Sequence, residues 1–323
     1  MRTTARPFML LLLAAWLALQ FDPAKAAWPD RTITLIVIFA PGGSNDLLGR
    51  LMAVELSTAL GQSVVVENRP GANGNIGLTA GARAAPDGYT LTVASGVVFI
   101  NPSVSKVAYD PIRDFAPIAY LGDSPNVLLT RPASSIASLK DLLEKAKAKP
   151  NTLTFATPGV GSVSQLAVEL IKVRTGAEFI HVPYSGAGPA AQAAIAGTTD
   201  FASVNIAGLI GHVQSGTLKA LVQTGKDKWP DLPDVPTMEE AGIPNAVVDT
   251  SQVFLAPAGT PQDILDRLAK ETQKILQKPD VREKMLKASF AVKYEGPEQL
   301  RARTAREVPM WKELVEKAGI KPQ

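Results

Sequence analysis

Ile33-Thr34-Leu35-Ile36-Val37-Ile38-Phe39 runs directly into Ala40-Pro41-Gly42-Gly43-Ser44-Asn45-Asp46. Six of the first seven residues are apolar and most are β-branched, so the segment reads as a buried strand. The next seven are turn formers and helix-capping types. A strand that stops at a glycine-rich turn and restarts as a helix is the repeating unit of α/β architecture. It also exposes unpaired backbone N–H groups at the positive end of a helix dipole, where a phosphate or carboxylate binds readily.

Outward from that unit the pattern recurs. Strand-like runs stand at residues 63–67, 90–94, 126–130, 152–156, 179–182 and 218–223, with helical stretches between them. This alternation predicts a parallel α/β sheet. Ser138 is placed to cap a helix carrying Leu139, Leu142, Leu143 and Ala146, and Thr260 to cap one with Pro261 at its first position. Residues 229–244, with Pro230, Pro233, Pro236 and Pro244, cannot form a regular element and are expected as a surface excursion. Two further strand-like segments, 124–131 and 249–257, each separate one run of α/β pattern from another. They are expected to cross between lobes, one at residues 27–125 with 253–323 and the other at 126–252.

Four turns, the first included, share this composition: residues 40–46, 70–77, 157–162 and 184–189. Glycine there lets the backbone approach a ligand closely or adopt positive φ. Ser44, Ser162 and Ser164 are either hydroxyl donors to a ligand or plain N-caps. A single such turn is more often a tight connection than a site; several at strand ends point to a ligand cleft.

The ends and the composition bound the rest. Residues 1–26 carry Arg2 and Arg6, an apolar run, and Ala24-Lys25-Ala26, which is the form of a cleavable secretory signal. Its apolar core, residues 8–19, is shorter than the ~20 residues of a spanning helix, so a soluble periplasmic protein is expected. The formal charge of +3 falls nearly to zero without that leader, which leaves no basic patch for nucleic acid. Cysteine is absent, excluding disulfides and thiolate chemistry.

No enzyme signature survives inspection. Gly159-Val160-Gly161-Ser162-Val163-Ser164 begins like a dinucleotide fingerprint but has Ser164 in place of the third glycine. The only histidines, His181 and His212, have no metal-ligand spacing, and His181 on an apolar strand is expected to be structural. No catalytic residue, cofactor or metal is expected.

Several spaced motifs resemble the solute receptors of tripartite tricarboxylate transporters, the Bug family of periplasmic binding proteins. They include Trp28-Pro29, Pro41-Gly42-Gly43 with Asp46, Glu67-Asn68-Arg69-Pro70-Gly71-Ala72, Pro86-Asp87-Gly88-Tyr89, His181-Val182-Pro183-Tyr184 and Ala256-Pro257-Ala258-Gly259-Thr260-Pro261. The resemblance runs nearly end to end. It implies a two-lobed, type II-like periplasmic-binding-protein fold, each lobe a sheet flanked by helices, with the two crossover strands as hinge. It further implies a monomer that closes on a small carboxylate and delivers it to a membrane permease, with sensing for a membrane signalling protein as the alternative role and a serine hydrolase as a remote one.

On the same resemblance, Gly43, Ser44, Asn45 and Asp46 with Gly161, Ser162 and Ser164 hold the carboxylate, partly through water. Tyr184, Gly186 and Ala187 line the opposite wall. Ser95, Gly96, Val97, Val204, Asn205 and Ser251 complete the pocket. This chain departs from the common pattern at Val97-Val98, at Val204 and at Ser251. The missing acidic group at 204 argues against a ligand with a free ammonium and for a less polar body, aromatic or aliphatic.

Overall fold

The computed structural model describes residues 28–42, 44–207, 209–244 and 246–320. The expected leader and Gly43 lie outside these residues, as does the side chain of Ser44. The opening strand forms as β1 (Ile33–Val37) and feeds helix α1 (Ser44–Leu60). β2 (Val64–Asn68), α2 (Asn75–Ala82), β3 (Thr90–Ser95) and α3 (Val97–Val104) follow, with β1 pairing in parallel to both β2 and β3.

The chain then leaves through β4 (Phe115–Thr130), a 16-residue strand buried at every position. Beyond it come α4 (Leu139–Ala148), β5 (Thr154–Thr157), α5 (Val163–Thr175), β6 (Ile180–Pro183), α6 (Ala187–Ala196), β7 (Phe201–Asn205), the short α7 (Ile210–Gln214) and β8 (Lys219–Gln223). The chain returns through β9 (Asp249–Pro257) and ends with α8 (Gln262–Gln277), α9 (Pro279–Lys287), β10 (Ala291–Glu295) and α10 (Pro297–Lys317).

The sheet is mixed rather than parallel, in the order β2-β1-β3-β9-β4-β7-β5-β6, with β8 and β10 also on β4. Crossing is the cause. β9 runs antiparallel to both β3 and β4, and β4 runs antiparallel to β7, because each joins the sheet while travelling the other way. Parallel pairing survives only where strands are linked by crossover helices, as β5 is with β6 and β7.

Helices cover both faces of the first group of strands. Leu48, Met52 and Leu56 of α1 meet Leu265 and Leu268 of α8 over one face. Leu78 of α2, Val98 and Phe99 of α3, and Leu300 and Trp311 of α10 close the other. Each such fully buried side chain contributes ~1.5–3 kcal/mol of hydrophobic stabilisation. In the second group Leu142, Phe155, Phe179 and Phe201 form the corresponding core.

Ser138 caps α4 as expected, accepting the Asp141 N–H. Thr260 does not cap α8. Pro261 takes the N-cap position, and the Thr260 hydroxyl donates to the Pro257 carbonyl at 2.8 Å instead. Nor is the proline-rich stretch a surface excursion. Its backbone is irregular, yet Trp229, Leu232, Met238 and Ile243 are buried. The Gln223 side chain gathers it, donating to the Leu232 and Val235 carbonyls and accepting the Trp229 N–H. One buried glutamine thereby replaces the ladder bonds that the prolines remove.

Candidate functional site

All four glycine-rich turns follow a strand and lead into a helix, after β1, β2, β5 and β6. What joins them is the pair of crossing strands. Asn45 donates through Nδ2 to Gln252 Oε1 on β9. Gln252 stands opposite Ser95 at the carboxyl end of β3, and the Gly96 N–H donates to the Ser251 carbonyl at 3.0 Å. On the other side, Ser124 of β4 donates to Asn205 Oδ1 at the carboxyl end of β7. Asn126 of β4 accepts the Ser164 hydroxyl at 2.7 Å and donates to the Val248 carbonyl. Gly161 completes the circuit, since a Cβ placed on it would lie 3.0 Å from Val104 of α3.

In the first turn Asp46 is the organising group. Its carboxylate accepts the Gly42 N–H, Arg50 Nε and Asn68 Nδ2 at 2.8–2.9 Å, although its side chain is 3% exposed. Burial alone would raise its pKa; the three donors outweigh that and hold it below the ordinary carboxylate value. Asp46 thus locks the turn in shape. Asn45 is buried, and among the described residues its Oδ1 has no partner.

Ser162 caps α5, accepting the Gln165 N–H at 3.2 Å, while Gln165 Oε1 accepts the Gly161 N–H at 2.8 Å. This is a reciprocal cap displaced by one residue from the usual capping box. The Ser164 hydroxyl therefore spends its proton within the protein, on Asn126, whereas Ser162 accepts a hydrogen bond and keeps its own O–H as a donor. His181 lies on edge strand β6, stacked on Phe155 and 2.7 Å from the Thr157 hydroxyl. Burial, with the Lys172 charge nearby, pushes it down to about 4 and keeps it neutral. The structural role expected for it holds. Its neighbour Thr157 in turn donates to the Gly159 carbonyl, so histidine and threonine together brace this turn.

Beside it, the Tyr184 N–H donates to the Thr157 carbonyl, and the half-buried Tyr184 begins the turn into α6. Gly186 takes φ of 154° at the N-cap, with nothing nearer than 3.9 Å to where a Cβ would sit; Gly188 has nothing within 4 Å. Gly42, at φ 86°, is equally open. Turn 70–77 is the exception. Gly74 and Gly77 are pressed against Ile38, and Asn101, fully buried, binds the Asn73 carbonyl and Asn75 Oδ1. Its glycines serve packing.

The remaining expected residues split. Ser95, Gly96, Val97 and Ser251 cluster where β3 meets β9, with a Cβ on Gly96 only 2.5 Å from Ser251 Oγ. Asn205 is tied to the Ser124 and Pro125 carbonyls, while Val204 is completely enclosed in the apolar core of the second group. Val98 belongs to the core on the α3 face. Sequence reasoning missed Gln252 and Asn126, which hold the two sides to the crossing strands. Both stand as lone amides at the edge of an apolar strand run, a signal that was visible. Three helix starts facing strand ends favour an anion, and among the described residues the Ser162 and Ser164 hydroxyls have no side-chain base as partner.

Residues 48–320 match the family model described as tripartite tricarboxylate transporter family receptor. Among curated proteins the chain is similar to Protein BugT of Bordetella pertussis, 36% identical with 91% of each chain covered. Among solved structures it is similar to MatC from Rhodopseudomonas palustris with bound malate, at 34% identity, TM-score 0.76, and 89% and 100% of the two chains. It is also similar to an R. palustris protein with adipate, at 30% identity, TM-score 0.81, and 92% and 100%.

Proposed function

The chain belongs to the family of tripartite tricarboxylate transporter receptors, solute-binding proteins and not enzymes, and from that premise we propose that it captures a small carboxylate between two lobes in the periplasm and delivers it to a membrane permease. The lobes are residues 27–125 with 253–323, and residues 126–252, turning about β4 and β9. Residues 1–26 direct export. The observation that carries this reading is the placement of the helix starts after β1, β5 and β6 at strand ends, where an anion is favoured; Gly42, Gly186 and Gly188 there meet no described atom nearer than 3.9 Å.

On this reading Gly43, Ser44 and Asn45 with the α5 start at Gly161, Ser162 and Ser164 grip one carboxylate. The Ser164 hydroxyl already donates to Asn126, whereas Ser162 only accepts the Gln165 N–H and keeps its O–H for the ligand, so that hydroxyl, backbone N–H groups and bridging water share the work. Asp46 shapes the grip without touching the ligand. Tyr184, Gly186 and Ala187 form the facing wall, and Ser95, Gly96, Val97, Asn205 and Ser251 the far end, with Val204 behind them. None of those residues is itself a carboxylate that could balance an ammonium, which favours a mono- or dicarboxylate with an aliphatic or aromatic body. The malate and adipate held by the two structural relatives are of the same small-carboxylate class.

A thermal-shift panel of adipate, malate, aspartate, glutamate and benzoate-type acids tests the assignment. A ligand at about a hundred times its Kd stabilises by roughly 2.7 kcal/mol, on the order of 4 °C for a chain of this size. Stabilisation by aspartate or glutamate, with none from adipate or the aromatic acids, overturns the proposed ligand class.

A further inference from the structure

The crossing strands carry two acids that the carboxylate grip does not use. Asp123 of β4 stands opposite Ser251, and Asp249 of β9 stands opposite Pro125, which places both carboxyl groups on one face of the paired strands. A cavity of about 380 Å³ opens over that face. Its walls come from both halves of the chain: Lys226 and Asp227 follow β8, whereas Lys293 and Glu295 lie on β10 and Arg303 and Glu307 on α10.

Most of the charge there is already matched. Asp123 takes the Lys293 ammonium at 2.9 Å on one oxygen and the Tyr120 hydroxyl at 2.9 Å on the other. Arg303 is held by Glu295 and Glu307 and lies 4.3 Å above the Tyr120 ring. Asp249 has only the Thr224 hydroxyl, at 3.3 Å, and no ion pair among the described residues. An unmatched carboxylate crowded between two halves is a force on the joint between them.

We propose that hinge closure is proton-linked: the arrangement described above is favoured while Asp249 is protonated, and its ionisation beside Asp123 drives the halves apart. The inference rests on the reading of β4 and β9 as a hinge. Burial, and next the Asp123 charge, push Asp249 up to about 7, with Lys293 and Thr224 opposing and Asp227 adding to the rise. Asp249 is half-buried in the arrangement described above, and on this proposal withdrawal of the Lys226–Asp227 segment with the second half exposes it further, so that its carboxyl returns toward the ordinary value. The open form therefore holds fewer protons in the window between about 4 and 7, and raising pH through 7 shifts the equilibrium toward opening. Any closure-dependent affinity then falls about tenfold from pH 6 to pH 8.

Small-angle scattering of the full chain without ligand reads the hinge directly. The radius of gyration is expected to be smaller at pH 6 than at pH 8.5, and Asp249→Asn to stay compact at both. Asp123→Asn, which removes the neighbouring charge and frees Lys293 for Asp249, shrinks the expansion and moves what remains to lower pH. A wild-type radius indifferent to pH, or an Asp249→Asn variant that expands as the wild type does, overturns the proposal. Because no ligand is added, failure of every acid in the thermal panel leaves this test standing.

Discussion

Turns 70–77 and 184–189 look alike on paper, each a run of glycines and small residues between a strand and a helix, and they do opposite things. In the first, Gly77 lies where a Cβ would sit 2.8 Å from the Arg69 carbonyl and 3.0 Å from Ile38 Cα, and four consecutive residues, Gly71, Ala72, Asn73 and Gly74, adopt positive φ. The glycines there make room for the protein's own backbone. In the second, Gly186 and Gly188 are open to solvent, with no described atom nearer than 3.9 Å to a Cβ on either. A glycine-rich turn is a plausible binding element only when the room it makes is left unfilled.

That contrast can be broken by substitution. Gly77→Ala should cost about 3 kcal/mol, because backbone atoms rather than a flexible side chain must give way; chemical denaturation measures it, and a loss under 1 kcal/mol removes the packing half of the comparison. Asp46→Asn should cost on the order of 1–2 kcal/mol at pH 7 by weakening three hydrogen bonds. Asp46 has a depressed pKa, so its contribution is complete above the ordinary carboxylate range and disappears as pH falls below it. The gap between variant and wild type should therefore narrow progressively as pH falls below the ordinary carboxylate range.

His181 sharpens the comparison from the other side. Its folded pKa of about 4 lies below the ordinary 6.5, so the neutral form stabilises the fold and that stability is lost as pH falls through this window. His181→Gln should flatten part of the acid limb of a melting-temperature profile between pH 6.5 and 4. The smallest effect belongs to Gly188→Ala, expected within ~0.5 kcal/mol of wild type, since nothing lies within 4 Å and the position is helical. If the facing wall is as proposed, the same substitution weakens carboxylate binding in a titration while the melting curve barely moves.

Much of the fold was legible because apolar, β-branched runs and capping residues act locally. The strands at 33–37, 64–68, 90–95, 154–157, 180–183 and 219–223 all lie on runs read from sequence. β7, β10 and the first half of β4 were not. Phe115–Thr130 contains Pro117, Gly122 and Pro125 and shifts register twice against β9, so its pairing depends on partners more than 100 residues away. β10 is half-buried along its length and forms only against β4. Local propensity carries no record of such contacts.

The sequence by itself determined the strand–turn–helix repeat, the four turns, the family and the solute-receptor class, because these depend on residue type and short-range spacing. Tertiary structure alone decided which turns keep open glycines, which serines are already bonded, and that Gln252 and Asn126 tie the turns to the crossing strands. It also set Asp123 beside Asp249, acids 126 positions apart in the chain. Space and charge at a site are made by residues distant in sequence, and only the folded chain brings them within a few ångströms of one another.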